Sequence, residues 1–311
     1  MVRKFEKGVL FFIVSLIIAL LSLFILGNFF DLKLSLLVYN QNSIYGIIGA
    51  SFGELPAWFM LSITGVIVYK ISRLVNIRWK KILCVTFSVI LLIVSFLLIF
   101  HSESIIYNGL TKYLNIWLRL FIAFLLSLFF VFFAFKVINV NDKYILIKIA
   151  FIILLTVVMQ IVVTTLLKYI WSRPRFRMIS LGSESYDVYD LFRSWYQPGK
   201  GLAGKVFADE ASEQFKSFPS GHTSSAACSF LFFFIPSLNV RLRDSAKFRV
   251  ISSIIAVIFT LTIAYSRIVY GAHYLTDVSF GFFITICAIL LSVLLEKTLL
   301  SRIIKHNVTT S

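Results

Sequence analysis

Eight apolar runs leave this chain few folds to choose from. They lie at about Gly8–Phe30, Pro56–Leu74, Ile82–Phe100, Ile116–Ile138, Tyr144–Ile170, Gly221–Leu238, Val250–Tyr270 and Thr276–Leu300. Roughly 20 apolar residues in a row match the thickness of a bilayer's hydrocarbon core, and a continuous apolar run satisfies its own backbone there only as a helix. The expected fold class is therefore all-α: a polytopic membrane helical bundle of about eight transmembrane helices. Composition agrees, since 59% of the 311 residues are hydrophobic and 14% charged, more apolar surface than a soluble domain can bury.

The net charge of +16 would suggest nucleic acid in a soluble chain, but here the basic residues sit in short links between apolar runs. The links on the side of the N-terminus collect Arg3, Lys4, Lys7, Arg78, Lys80, Lys81, Arg241, Arg243, Lys247 and Arg249, whereas the short links opposite hold Lys33, Lys112 and Arg119. That bias places both termini in the cytoplasm, with no nucleic-acid partner. The first run is longer than the apolar region of a cleaved signal peptide, so an uncleaved first span is expected. On this topology the sequon Asn307-Val308-Thr309 falls in a cytoplasmic tail, and His101 and His306 read as solvated. Cys84, Cys228 and Cys287 are odd in number, lack CxxC spacing and lie in apolar runs, so they read as packing residues.

One outer link differs in kind. Residues 171–218 are long and polar, broken by Gly182, Pro198, Gly199, Gly201 and Gly204, and carry Tyr186, Tyr189, Trp195 and Tyr196. A connection of this length is a functional lid or a disordered linker, and its aromatic content favours a lid at the headgroup level.

Three clusters of chemistry-bearing residues fall at outer helix ends. Lys168 and Arg175 close the fifth run, Pro219-Ser220-Gly221-His222 opens the sixth, and Ser266-Arg267, His273 and Asp277 bridge the last two. Lys168, Arg175 and Arg267 supply cationic donors, and the guanidinium forks suit phosphoryl oxygens. Ser220 and Gly221 add a hydroxyl and first-turn amides at a helix N-terminus, a position that favours an anion. Spaced by four, His273 and Asp277 share a face if the last helix extends back through His273. The carboxylate would then hold one ring nitrogen as N–H while the other attacks. His222 is left to protonate a leaving oxygen and then activate water. Arg173 and Arg177 read as surface or headgroup contacts. The bland alternatives are snorkelling of Lys168 and Arg175 to the interface and a structural His273–Asp277 pair. A metal site is the other, but three surrounding cations would repel a divalent ion.

Taken together, the clusters resemble the type 2 phosphatidic acid phosphatase family, whose site is shared with vanadium haloperoxidases and glucose-6-phosphatase. The family pattern is Lys, six residues, Arg-Pro; then Pro-Ser-Gly-His; then Ser-Arg, five residues, His, three residues, Asp. Here Phe176 stands where the first element has proline, and Arg173-Pro174 offers an offset Arg-Pro. The resemblance implies a six-helix core, placed at 82–300 with the outer loop 171–218. An N-terminal two-span addition would occupy 1–81, and a cytoplasmic tail 301–311. It also implies His273 as the nucleophile forming a phosphohistidine, His222 as general acid and then base, and Asp277 as orienter. Lys168, Arg175, Ser220, Gly221 and Arg267 would surround the phosphate, with no metal and no other cofactor.

The expected function is thus a metal-independent lipid phosphate phosphatase at the extracytoplasmic face, in the plasma membrane. Its substrate would be of the phosphatidylglycerophosphate, phosphatidate or polyprenyl diphosphate class. A phosphotransferase that passes the group to a lipid or sugar acceptor is the near alternative, and a non-catalytic anionic-lipid transporter or binding protein the alternative of another class.

Overall fold

A computed structural model describes residues 2–103, 114–197 and 199–300. Lys112, Pro198, His306, Asn307-Val308-Thr309 and the tail 301–311 lie outside the described residues, as do the side chains of Arg3, Lys4 and Lys7. The helices in chain order are α1 (Val2–Val38), α2 (Ile44–Phe52), α3 (Leu55–Arg73), α4 (Arg78–Glu103), α5 (Ile116–Val137), α6 (Lys143–Trp171), the short α7 (Phe176–Ile179), α8 (Val188–Leu191) and α9 (Gly201–Val206), then α10 (Gly221–Ala227), α11 (Ala246–Val269) and α12 (Leu275–Leu295). Among the described residues there is no strand, and the chain is a polytopic helical membrane protein.

Seven of the described helical stretches are long and apolar enough to cross a bilayer. The expected eighth, Gly221–Leu238, is not a continuous α-helix: seven residues of α10 give way to a 3-10 stretch over Cys228–Leu238. One local feature acts against the α-helix here: Pro236, inside this stretch, has no N–H to donate. Because a 3-10 helix rises ~2.0 Å per residue, the contour still reaches roughly 32 Å, close to the thickness of a hydrocarbon core.

Two compact units make up the fold. One combines Glu54–Gln160, Ser225–Phe259 and Thr285–Ser311. Its centre is α3, buried along nearly its whole length, with Pro56 in its first turn. Polar contacts between helices hold α4 beside α3: Ser62 and Ser95 hydroxyls lie 2.8 Å apart, Ser95 donates to Trp58 O and Ser88 to Gly65 O. A Cβ on Gly65 would come within 2.9 Å of Leu92, so glycine sets how closely these helices approach.

The other unit combines Met1–Gly53, Ile161–Ser224 and Thr260–Ile284, and carries all three clusters. Its outer link is folded. Phe176, Met178, Ile179, Leu191, Ala203, Phe215 and Tyr274 form a small core of their own. The link also rests on α1, where Trp195 donates to Asn28 and its ring lies 4.8 Å from that of Phe24. Leu181, Tyr186, Tyr189 and Tyr196 stay exposed.

Candidate active site

Each cluster reaches the site through the way its helix ends. Helix α6 stops at Trp171, Ser172 takes a left-handed conformation (φ 44°), and Pro174 bars any return to helix. Lys168 therefore stays on the last turn, while Arg173 and Arg175 leave along an extended strand of chain. Helix α11 ends in a Schellman motif: Gly271 N–H donates to Ile268 O and Ala272 N–H to Arg267 O, with Gly271 at φ 64°. The reversal brings His273 N–H to Arg267 O at 3.3 Å, so the two residues become neighbours. Ser220 caps α10, its hydroxyl accepting from Thr223 N–H at 3.3 Å.

Close packing fixes the remaining positions. A Cβ on Gly281 of α12 would fall 2.4 Å from Ser220 O, so only glycine lets the second cluster lie on that helix. Ser220 N–H donates to Asp277 O at 3.0 Å. The amide expected to face an anion is therefore engaged, and the first-turn amide of Gly221 has no intrahelical acceptor. A Cβ on Gly221 would stand 3.0 Å from Lys168 Nζ, placing that ammonium over the helix start.

The geometry of His273 departs from expectation in one respect. Helix α12 starts at Leu275, after His273, and Asp277 caps it by accepting from Tyr274 N–H at 2.8 Å. The carboxylate also accepts from the Ser217 hydroxyl at 2.5 Å and from Arg173 Nη1 at 2.6 Å, leaving it 3.8 Å from His273 Nδ1. The direct partner of His273 Nδ1 is instead the main-chain oxygen of Ser217, at 2.6 Å. A carbonyl only accepts, so Nδ1 carries the proton and Nε2 keeps its lone pair. By the same argument His222 Nε2, 3.0 Å from Ala50 O, is an N–H. Burial, reinforced by Arg175, Arg267 and Lys168, holds the His273 imidazole well below its ordinary value of 6.5, so it is neutral at pH 7. His222 lies within electrostatic reach of His273, Arg267 and Lys168. The structure thus brings Lys168, Arg175, His222, Arg267 and His273 together.

The two arginines of the first cluster have different surroundings. Arg173, read above as a surface or headgroup contact, is fully buried. It binds Asp31 at 2.9 Å, Asp277, Thr276 Oγ1 at 2.8 Å and Arg193 O at 2.8 Å, and stacks 4.1 Å from the Tyr274 ring. Isolating a guanidinium from water is unfavourable unless carboxylates surround it, and here two do. Arg175 is also buried, but its nearest carboxylate, that of Glu213, is 3.9 Å away and its Nε has no hydrogen-bond partner. Arg177 is not a surface residue either: it is buried, donates to Gln214 and lies over the Tyr270 ring.

Sequence reasoning missed the N-terminal contribution. Asp31 lies inside α1, Gly46 O accepts from Arg267 Nη1 at 3.3 Å, and Ala50 O holds His222. An acidic residue within an apolar helix was the available signal for Asp31, whereas a carbonyl partner leaves no trace in residue identity.

Residues 149–300, which contain all of these clusters, match the model of the PAP2 superfamily. Over these residues the chain is similar to that superfamily. No curated protein and no solved structure matches the chain. The PAP2 match supports, in general terms, a phosphatase-type function on lipid phosphates, and so a phosphoester hydrolase.

Proposed function

We propose that the protein is a metal-independent phosphatase of membrane lipid phosphates working through a phosphohistidine at the extracytoplasmic face. The observation that carries this reading is the Ser217–His273 contact, which leaves Nε2 with a lone pair among Lys168, Arg175 and Arg267. In the first step Nε2 bonds to phosphorus as the phosphorus–oxygen bond to the lipid breaks, and His222, which takes up a proton as the anionic phosphate fills the site and offsets the nearby cations, gives the leaving oxygen that proton from Nδ1. In the second, His222 takes a proton from water, the hydroxide bonds to phosphorus, and the phosphorus–nitrogen bond breaks to release phosphate. The three cations and the α10 amides offset charge on the equatorial oxygens, and Asp277 orients His273 through Ser217.

The excess of Lys and Arg in the links sharing the N-terminal side supports cytoplasmic termini and an outer site, and a plasma-membrane location goes with that orientation. The lid is suited to choosing the lipid, within the phosphatidylglycerophosphate, phosphatidate and polyprenyl diphosphate classes.

The test is turnover of labelled lipid phosphates by purified protein, alone and with lipid or sugar acceptors. Free labelled phosphate is the expected product. Label found in the acceptor would make the protein a phosphotransferase, and lipid binding without turnover would make it a transporter or binding protein.

A further inference from the structure

We propose that Asp31 of α1, outside the segment that matches the superfamily, is a positioning residue for phosphoryl transfer, acting through Arg173 and Asp277 on His273. This rests on the phosphatase reading above. Both Asp31 carboxylate oxygens are engaged: Oδ1 accepts from Thr276 N–H at 2.9 Å, and Oδ2 accepts from Arg173 Nη2 at 2.9 Å and from the Thr276 hydroxyl. Gly27, one turn earlier, allows this approach, because a Cβ there would fall 2.8 Å from Thr276 Cγ2. An acidic residue 3% exposed on an apolar helix is costly unless its partner holds it, and here the partner is a fully buried guanidinium.

The consequence for chemistry follows the hydrogen bonds outward. Arg173 is shared by Asp31 and Asp277, so it is pulled from both sides and stays centred. Asp277 keeps its other oxygen for the Ser217 hydroxyl and Tyr274 N–H, and Ser217 O fixes the His273 ring. Arg173 O also accepts from Ser217 N–H at 3.0 Å, a second link to the same residue. Without the Asp31 charge, Arg173 leans on Asp277 alone, and the displacement passes through Ser217 to the nucleophile. A shift of ~1 Å at a reacting atom costs on the order of 10²-fold in rate.

The experiment compares wild-type protein with Asp31→Asn and Asp31→Glu, as full-length chains in detergent, on the labelled lipid-phosphate panel. Positioning predicts that Asp31→Asn lowers kcat by roughly 10- to 100-fold with KM changed less than about threefold, and that Asp31→Glu recovers part of the loss. A kcat within about twofold of wild type, or a loss that only tracks the amount of folded protein, overturns the proposal. Should Asp31→Asn fail to fold, Thr276→Val, which removes one hydroxyl from the network, decides: a several-fold fall in kcat supports positioning and no change overturns it. If wild-type protein releases phosphate from no member of the panel, the phosphatase reading has failed. Thermal unfolding with orthovanadate, which mimics five-coordinate phosphorus, then tests positioning separately. Stabilisation of wild type but not of Asp31→Asn supports the positioning role, equal stabilisation overturns it, and no stabilisation of wild type overturns both.

Discussion

His273 Nδ1 donates to the main-chain oxygen of Ser217 at 2.6 Å, whereas the Asp277 carboxylate stands 3.8 Å away. The histidine is oriented by a backbone atom, and the carboxylate orients that backbone. Replacing His273 with Ala removes the only nitrogen the reading assigns to attack, and should lower kcat by about 10³-fold or more. His222→Ala should cost roughly 10²- to 10⁴-fold. Ser217→Ala keeps the carbonyl and loses the hydroxyl's contacts with Asp277 and Ala272 O, so its effect should be far smaller than that of His273→Ala. Steady-state kinetics of the three variants checks this order.

The pH dependence follows from where His273 lies. Burial and the nearby cations lower its pKa below 6.5, so the nucleophile stays neutral, and the acid limb of kcat/KM should fall below pH 6.5. Arg267→Met removes one of those cations and should move that limb upward. The sign for stability follows by linkage. In the unfolded chain His273 binds a proton near pH 6.5 and in the fold it does not, so stability is lost as pH drops below that value. A profile of kcat/KM from about pH 4 to about pH 9 for both proteins is the measurement.

Arg175 has a buried Nε with no partner and only a distant carboxylate. An oxyanion would supply what is missing, and a guanidinium binds it with two parallel N–H groups. Arg175→Lys keeps the charge and loses the fork, so kcat/KM should still fall by about 10-fold or more. A Glu213→Gln control should change little, since Glu213 is half exposed and is paired with Lys216.

Gly281 touches Ser220 through bare backbone. Gly281→Ala must push α12 and the start of α10 apart, and the expected result is lost activity with a destabilisation of ~1–3 kcal/mol. Thermal unfolding beside kcat separates the two effects.

Chelation tests the charge logic of the site. Positive side chains, rather than a divalent ion, neutralise the phosphate in this reading, so EDTA should leave the rate unchanged. Strong inhibition reversed by a divalent metal would require a different mechanism.

Much of this protein was legible in order along the chain. Apolar runs of bilayer length determine an all-helical membrane fold, because lipid offers the backbone no other partner. The spacing of Lys168, His222, Arg267 and His273 marked the side chains of the proposed site. Other features were settled by contacts between segments far apart in sequence. Gly221–Leu238 passes from α-helix to a 3-10 stretch after seven residues, a change that apolar content does not report. Arg173 and Arg175 stand two residues apart, and the fold surrounds the first with Asp31, Asp277 and Thr276 while leaving the second 3.9 Å from its nearest carboxylate. Asp31 and the carbonyls of Gly46, Ala50 and Ser217 are more than a hundred residues, or in the last case more than fifty, from the groups they hold. Side-chain identity encodes which bonds are possible; only the folded backbone decides which oxygen stands within about 3 Å of a given nitrogen.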